Sequence, residues 1–254
     1  MSQQDSHFTN LELSLYRVWL WCILRTMPIR ELIPSPIKHL LRQPYYFFRR
    51  QWLYAHPEPI DTIHNYWRRP DDANDPRKYL TGRTRSRWLV GILEKYVPKQ
   101  GSLLELGCNV GRNLNEAYQV GYRDLETIEI NPEAIEILKQ SYPEMASVAN
   151  IHVGRIEDNI QSIENKDCIF TMAVLVHIHP SSEWMFSEIA KRAKTLIVIE
   201  AEKDATWRHF ARDYKKIFEG LGMRQLEEIQ CNEVLELMGE RGLQTYVARV
   251  FQRS

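Results

Sequence analysis

Apolar residues fall into two regimes on either side of a turn-rich stretch, Arg68–Arg77, where Pro70, Asp71, Asp72, Asn74, Asp75 and Pro76 crowd together and predict a loop. Before it, Leu11 to about Met27 carries Leu, Trp and Ile with flanking arginines, which predicts an amphipathic helix that Pro28, Pro34 and Pro36 then break. The following Tyr45–Trp52 is densely aromatic and basic. It suits either packing as a lid on the main domain or lying in a membrane interface. After the loop, Trp88, Leu89, Ile92, Leu93 and Tyr96 recur at helical spacing, predicting a helix over Thr84–Tyr96 that ends before Pro98.

Beyond Gly101, short apolar runs alternate with amphipathic stretches. Strands are predicted at Ser102–Leu106, Leu125–Ile130, Asn150–Val153, Cys168–Ala173 and Thr195–Glu200. Helices are predicted at Arg112–Gln119, Pro132–Ser141, Ser182–Ala193 and Thr206–Leu221. This βαβα order implies a parallel sheet covered on both faces, the doubly wound α/β class. Two further strands, Met223–Ile229 and Gln244–Phe251, close the chain as a hairpin-like pair around a short helical or loop stretch, Asn232–Gly242. The expected organisation is a basic, aromatic-rich extension over residues 1–80 and an α/β catalytic domain over 81–254.

Charge adds an asymmetry that the zero net balance of 33 basic and 33 acidic residues conceals. Residues 1–100 carry 16 basic and 9 acidic side chains, whereas residues 101–254 carry 17 and 24. A basic front on an acidic body fits an anionic substrate, peripheral contact with an anionic membrane, or contact between the two parts. Cys22, Cys108, Cys168 and Cys231 are scattered without CxxC spacing, which counts against a disulfide scaffold, a structural zinc site or an iron–sulfur cluster. A reducing, cytoplasmic setting is expected. Asp5 and Glu12 precede the apolar stretch and no small-residue cleavage site follows it, so no secretory signal is expected. The run Val18–Leu24 is too short to span a bilayer.

The string Leu103-Leu104-Glu105-Leu106-Gly107-Cys108-Asn109-Val110-Gly111-Arg112-Asn113-Leu114 reads as a strand, a tight glycine turn and a helix. Glycine at 107 lets the backbone approach a ligand, and glycine at 111 lets the helix sit close on the strand. Glu105 stands just before the first glycine, where a dinucleotide-binding strand normally has no carboxylate; a cofactor with a cationic amino group would give that charge a reason. Glu129 follows 22 residues after Gly107, at the end of the next predicted strand, where a carboxylate can accept both hydroxyls of a ribose. Asn131 then caps, and Pro132 opens, the following helix. Either acid alone also reads as a solvated carboxylate at a strand end. Their joint placement around the turn is what points to a ligand.

Glu105–Gly111, Glu129 and the later Phe170-Thr171-Met172-Ala173-Val174-Leu175-Val176-His177-Ile178 resemble motifs I, II and IV of class I S-adenosylmethionine-dependent methyltransferases, in order and spacing, from Gly101 to Phe251. The resemblance implies a Rossmann-like methyltransferase fold: a seven-stranded, mostly parallel sheet with an antiparallel last strand, helices on both faces, and a helical N-terminal extension. It implies S-adenosyl-L-methionine as cofactor. Glu105, Gly107, Cys108, Asn109 and Gly111 should then cradle its methionine end, Glu129 and Ile130 its ribose, and Arg155, Ile156 and Glu157 its adenine, with Ala173 beside it. Asn109 departs from the family's middle glycine, though asparagine tolerates left-handed backbone. Val176 stands where many members carry a glutamate. Gly-Cys-Asn in the loop with His-Ile-His in motif IV resembles methylases associated with surface-sugar biosynthesis, which implies a small-molecule or saccharide acceptor.

His177 and His179 follow the fourth strand, at the carboxyl edge where α/β sheets bind ligands, and are the candidate catalytic bases. Packing beneath the cofactor for His177, and capping of the helix near Pro180 for His179, are their structural alternatives. His-x-His could hold a metal, but no carboxylate cluster lies nearby in sequence, so no metal site is expected. Among Arg83, Arg85 and Arg87, one could reach an anionic group while the others stay solvated.

Three other functions fit parts of the pattern. A nucleotide-dependent sugar oxidoreductase or epimerase shares the sheet, but Glu105, the absent GxGxxG and the closing strand pair count against it. A noncatalytic, membrane-associated binding protein would keep the fold as scaffold. A nucleic-acid substrate is disfavoured by the acidic catalytic half and the lack of an aromatic–basic RNA-binding motif.

Overall fold

The computed structural model describes residues 51–203, 205–234 and 245–253. The chain divides into two compact units, residues 1–55 and 56–254. Of the first only residues 51–55 are described, and they are helical. The helix expected at Leu11–Met27 and nearly all of the aromatic stretch Tyr45–Trp52 lie outside the described residues.

In the second unit, helix α1 (Ile60–Arg68) and two 3-10 turns, Asp72–Asn74 and Pro76–Leu80, lead into helix α2 (Arg83–Tyr96). Strand β1 (Leu103–Leu106), helix α3 (Arg112–Gln119), strand β2 (Leu125–Glu129) and helix α4 (Pro132–Ser141) follow. Next come α5 (Pro143–Val148), β3 (Asn150–Val153), α6 (Ile156–Asn159), β4 (Lys166–Met172), α7 (Met185–Arg192) and β5 (Ala193–Ala201). Helix α8 (Tyr214–Gly220), strand β6 (Met223–Gln230) and strand β7 (Tyr246–Arg253) end the described chain.

The strands form one seven-stranded sheet in the order β3-β2-β1-β4-β5-β7-β6, in which β7 alone runs against its neighbours. Inner strands buried on both faces need apolar residues at successive positions, as Leu103-Leu104 and Leu196–Ile199 supply. The pleat sends Leu103, Phe170, Ile197 and Val250 to the face covered by α2, α3 and α4. Leu104, Ile169, Val198 and Phe251 go to the opposite face, against Phe186 of α7 and Phe218 of α8. These two cores hold the sheet rigid. The chain departs in opposite directions after β1 and after β4, which are neighbours, and this reversal of strand order opens a crevice at their carboxyl ends.

Two expectations are corrected. The helix predicted over Thr206–Leu221 forms only as α8, because the segment before it is tied to the loop after β4. Phe210 N donates to Val176 O at 2.6 Å, and the Arg212 guanidinium donates to the carbonyls of Leu175 (3.1 Å), Phe210 (2.8 Å) and Ile178 (2.6 Å). Asp213 then caps α8 by accepting from Lys216 N at 2.9 Å. The helix predicted over Ser182–Ala193 also shortens, to α7. Ala193 leaves it to pair with Lys166 as the first residue of β5, since ladder hydrogen bonds replace the last helical ones.

Candidate active site

Three residues of the β1–α3 turn have left-handed backbone: Gly107 (φ 69°), Asn109 (φ 51°) and Gly111 (φ 73°). A Cβ on Gly107 would lie 2.5 Å from Val174 Cγ2, and one on Gly111 2.4 Å from Leu138 Cδ1. Both glycines are therefore required twice, for conformation and for space. Asparagine is the side-chain-bearing residue that tolerates this conformation best, which explains Asn109 in the middle.

Glu129, ending β2, braces the turn. Its Oε2 accepts Asn109 N and its Oε1 accepts Asn131 N, each at 2.8 Å. Burial raises its pKa, and these backbone N–H groups oppose the rise by stabilising the anion. A carboxylate has acceptor capacity for about four hydrogen bonds, so with the backbone N–H groups of Asn109, Asn131 and Ile130 around it Glu129 still keeps acceptor capacity for a ligand. Asn131 caps α4 by accepting from Glu133 N (2.9 Å) and Ala134 N (3.3 Å).

The turn opens on a cavity of about 340 Å³, within the range of small-molecule sites. Gly107, Cys108, Asn109, Glu129, Ile130, Arg155, Ile156, Glu157, Ala173 and His177 all line it, so the structure gathers most of the sequence-predicted residues into one place. Within the group, Arg155 turns its guanidinium to Asp158 (2.7 and 2.8 Å), and Glu157 Oε1 meets His64 Nε2 at 3.1 Å. Burial, the largest single influence, would raise the Glu157 pKa, but hydrogen bonds with His64, with backbone N–H and with Ser182, together with the His64 charge, outweigh it and the net direction is down. Ala173 takes left-handed backbone (φ 61°) at the end of β4. Cys108 is buried, and its thiol pKa is pushed well up by desolvation and by the charges of Glu129 and Glu105. That disfavours the reactive thiolate.

Glu105, Gly111 and His179 do not line the cavity. Gly111 supports it from the start of α3. Glu105 is 1% exposed beneath the turn, and Asn113 Nδ2 donates to its Oε1 at 2.7 Å. Asn113 in turn accepts from Ser86 Oγ (2.6 Å), and Ser86 accepts from Arg112 Nε (2.7 Å). Asn113 and Arg112 line the cavity in its place. Among the described residues Glu105 Oε2 is buried without a partner, and desolvation pushes the carboxyl up to about 8 against the opposing Asn113 hydrogen bond and Arg112 charge. His179 caps the Pro180–Ser182 turn by accepting Ser181 N on Nδ1 at 3.1 Å, and its Nε2 lies 3.1 Å from Glu58 O. Nε2 therefore carries the proton, and both ring nitrogens are occupied.

His177 is placed differently. Its Nδ1–H donates to Arg208 O at 2.9 Å, which leaves Nε2 as the acceptor. The ring is packed between Trp67 (centroids 4.2 Å apart) and His209 (4.8 Å). Desolvation, with His209 adding to it, drives its pKa down to about 3.

Several residues of the site were not read from the sequence. His64 and Trp67 come from α1, which was not predicted, and Arg208 and His209 from the segment misread as helix. Arg85, one of the three arginines flagged in sequence, lines the cavity, while the exposed Arg83 and Arg87 pair with the buried Glu116 of α3. Glu200, at the end of β5, is fully buried and accepts Val174 N (2.8 Å), Leu175 N (2.8 Å) and Val176 N (3.2 Å). It thereby holds the turn that carries His177. A carboxylate closing an apolar strand was the available signal, the same one that singled out Glu129. Among the described residues, no three His, Cys, Asp or Glu side chains cluster as a metal site, and no helix is long and apolar enough to cross a membrane.

The described fold is shared with magnesium protoporphyrin IX methyltransferase from Synechocystis PCC 6803, solved with bound S-adenosylhomocysteine (15% identity, 78% of this chain and 100% of that one, TM-score 0.60). The methyltransferase domain of bacterial CtHen1 (16% identity, 68% and 98%, TM-score 0.53) and the cyclase SpnF (12% identity, 66% and 81%, TM-score 0.52) have it too. The last shows that this fold also houses other chemistry. None of the curated proteins matches. The family model described as a methyltransferase domain matches residues 74–238, spanning the glycine turn, Glu129 and the loop of His177. The chain therefore belongs to the methyltransferase-domain family and carries the Rossmann-like fold of the class I, S-adenosylmethionine-dependent enzymes.

Proposed function

We propose that this chain binds S-adenosyl-L-methionine at the carboxyl ends of β1, β2 and β4 and moves its methyl group to an oxygen or nitrogen of a small-molecule or saccharide acceptor. The observation that carries this reading is the braced carboxylate of Glu129 at the rim of a left-handed glycine turn. The residues fit such a cofactor. Backbone at Gly107 can approach a ligand where a side chain could not, Glu129 keeps acceptor capacity for a ribose hydroxyl, and Asn109, which lines the cavity, has a buried Oδ1 without a partner among the described residues.

The cofactor supplies an electrophilic methyl group. What the chain adds is alignment and exclusion of water, which can account for much of the acceleration of a displacement reaction. The packed wall of Ile63, Trp67, Val174 and Ile178 keeps the site apolar. His177, neutral because burial lowers its pKa to about 3, presents Nε2 to orient an acceptor O–H or N–H. So weak a base accepts a proton poorly, so His177 serves by positioning. A cavity of about 340 Å³ walled by aromatic rings supports a small or saccharide acceptor.

Isothermal titration with S-adenosylmethionine, S-adenosylhomocysteine and NAD tests the reading. Both sulfur cofactors should bind and NAD should not. Binding of NAD alone would return the chain to the oxidoreductase alternative.

A further inference from the structure

Arg208 brings to the site a guanidinium with no carboxylate partner among the described residues. Several arginines around the sheet have carboxylate partners, Arg155 with Asp158, Arg192 with Glu188, Arg212 with Glu183, and Arg249 with Glu202 and Glu228, while Arg112 donates to Ser86 Oγ and to the carbonyls of Tyr79 and Thr81. Arg208 lines the cavity, yet it forms no ion pair among the described residues, and its buried Nε has no acceptor. Asp71 feels its charge but is bonded instead to Tyr66 Oη (3.0 Å) and Asn74 N (3.2 Å). What holds the guanidinium is aromatic: it lies 4.7 Å from the Tyr66 ring centroid, 5.5 Å from Trp207 and 5.8 Å from Trp67. Ring faces stabilise a cation without consuming its donors. The forked N–H groups thus remain available to a ligand, in the geometry that matches an oxyanion.

The position of this charge matters. The backbone carbonyl of Arg208 fixes the tautomer of His177, and Trp67 touches both the His177 ring and the guanidinium. One residue therefore fixes which ring nitrogen of His177 accepts and sets its cation on the same indole that the imidazole packs against. We propose that the methyl acceptor is an anionic small molecule whose carboxylate or phosphate group pairs with Arg208, its methyl-accepting atom meeting His177 Nε2. The cation supplies a local attraction for such a group. A bound oxyanion would also offset the charge of Arg208 that disfavours protonation of His177.

This inference rests on the methyl-transfer reading, and one titration series separates the two. The full chain, saturated with S-adenosylhomocysteine, is titrated with glucuronate, glucose 6-phosphate and glucose, then with 4-hydroxybenzoate and 4-hydroxybenzamide. Binding is read by calorimetry and by quenching of tryptophan fluorescence. At least one acidic probe should bind roughly tenfold more tightly than its neutral counterpart. Arg208→Gln should abolish that preference, Arg208→Lys should restore part of it, and S-adenosylhomocysteine affinity should hold within about twofold in both variants. The glucuronate and glucose 6-phosphate arms show which oxyanion is preferred. Equal binding of acid and neutral probes, no binding of any acid, or a preference that survives Arg208→Gln would each overturn the inference. Failure of S-adenosylhomocysteine itself to bind would instead remove the methyl-transfer reading beneath it.

Discussion

Glu129 Oε2 accepts the backbone N–H of Asn109 at 2.8 Å, so the carboxylate suited to a ribose also pins the left-handed residue of the glycine turn. Binding and architecture meet in one side chain. Glu129→Gln keeps the shape but replaces one acceptor oxygen by a donor that faces a backbone N–H. S-adenosylhomocysteine affinity should fall roughly ten- to hundredfold, the worth of hydrogen bonds to a charged group, with a smaller loss of thermal stability. Titration calorimetry beside a melting curve checks both, and unchanged affinity would detach Glu129 from the cofactor.

Glycines in the chain are not equivalent. Gly111→Ala forces a Cβ into Leu138 at positive φ and should lower Tm by several degrees while weakening cofactor binding. Gly91, inside helix α2, has open space where a Cβ would stand, with nothing within 4 Å, so Gly91→Ala should raise stability by about 0.5–1 kcal/mol, or roughly 1–4 °C. Scanning calorimetry of the two variants should show shifts of opposite sign.

Glu105 makes stability depend on pH. Its carboxyl titrates at about 8 in the folded chain against 4.5 when unperturbed, and Glu200 at about 7. Because the folded state prefers both protonated, their contribution is complete below pH 4.5 and is lost as pH rises through 7 and 8. The unliganded protein should therefore lose stability from pH 5 to pH 9 on this account. Glu105→Gln, which retains the carbonyl facing Asn113 Nδ2, should match the parent at pH 5 and exceed it by ~1–3 kcal/mol at pH 9. Urea midpoints across that range decide it, and parallel curves would refute the assignment.

His177 should stay neutral at every working pH. With a folded pKa of about 3 against 6.5, its contribution to stability is present above 6.5 and is lost as pH falls toward 3. The pH profile of kcat should carry no limb from this residue near 6.5, and ring nitrogen shifts in NMR should report one neutral tautomer at pH 5. An imidazolium signal at pH 5 would contradict the buried placement between Trp67 and His209.

His179 answers a different test. His179→Ala removes a cap on the Pro180–Ser182 turn and the tie to Glu58 O, which should cost about 1 kcal/mol of stability. Affinity for S-adenosylhomocysteine should not change, because the ring lies off the cavity. A melting curve and a binding isotherm on this variant separate capping from catalysis.

The amino-acid order alone determined the sheet and the glycine-turn half of the site. Apolar runs such as Leu196–Ile199, glycines at 107 and 111, and Glu129 act through local backbone geometry and strand period, which depend on near neighbours in the chain. Only the tertiary structure decided what faces the ligand on the other side. Arg208 and His209 left the helical reading because Phe210 and Arg212 bond to the loop after β4, more than thirty residues earlier. Glu105 sank beneath the turn while Asn113 took its place in the cavity lining, and His64 and Trp67 arrived from a helix with no glycine signal to mark it. Such contacts join residues far apart in sequence, so their energies exist only once the sheet has brought the segments together.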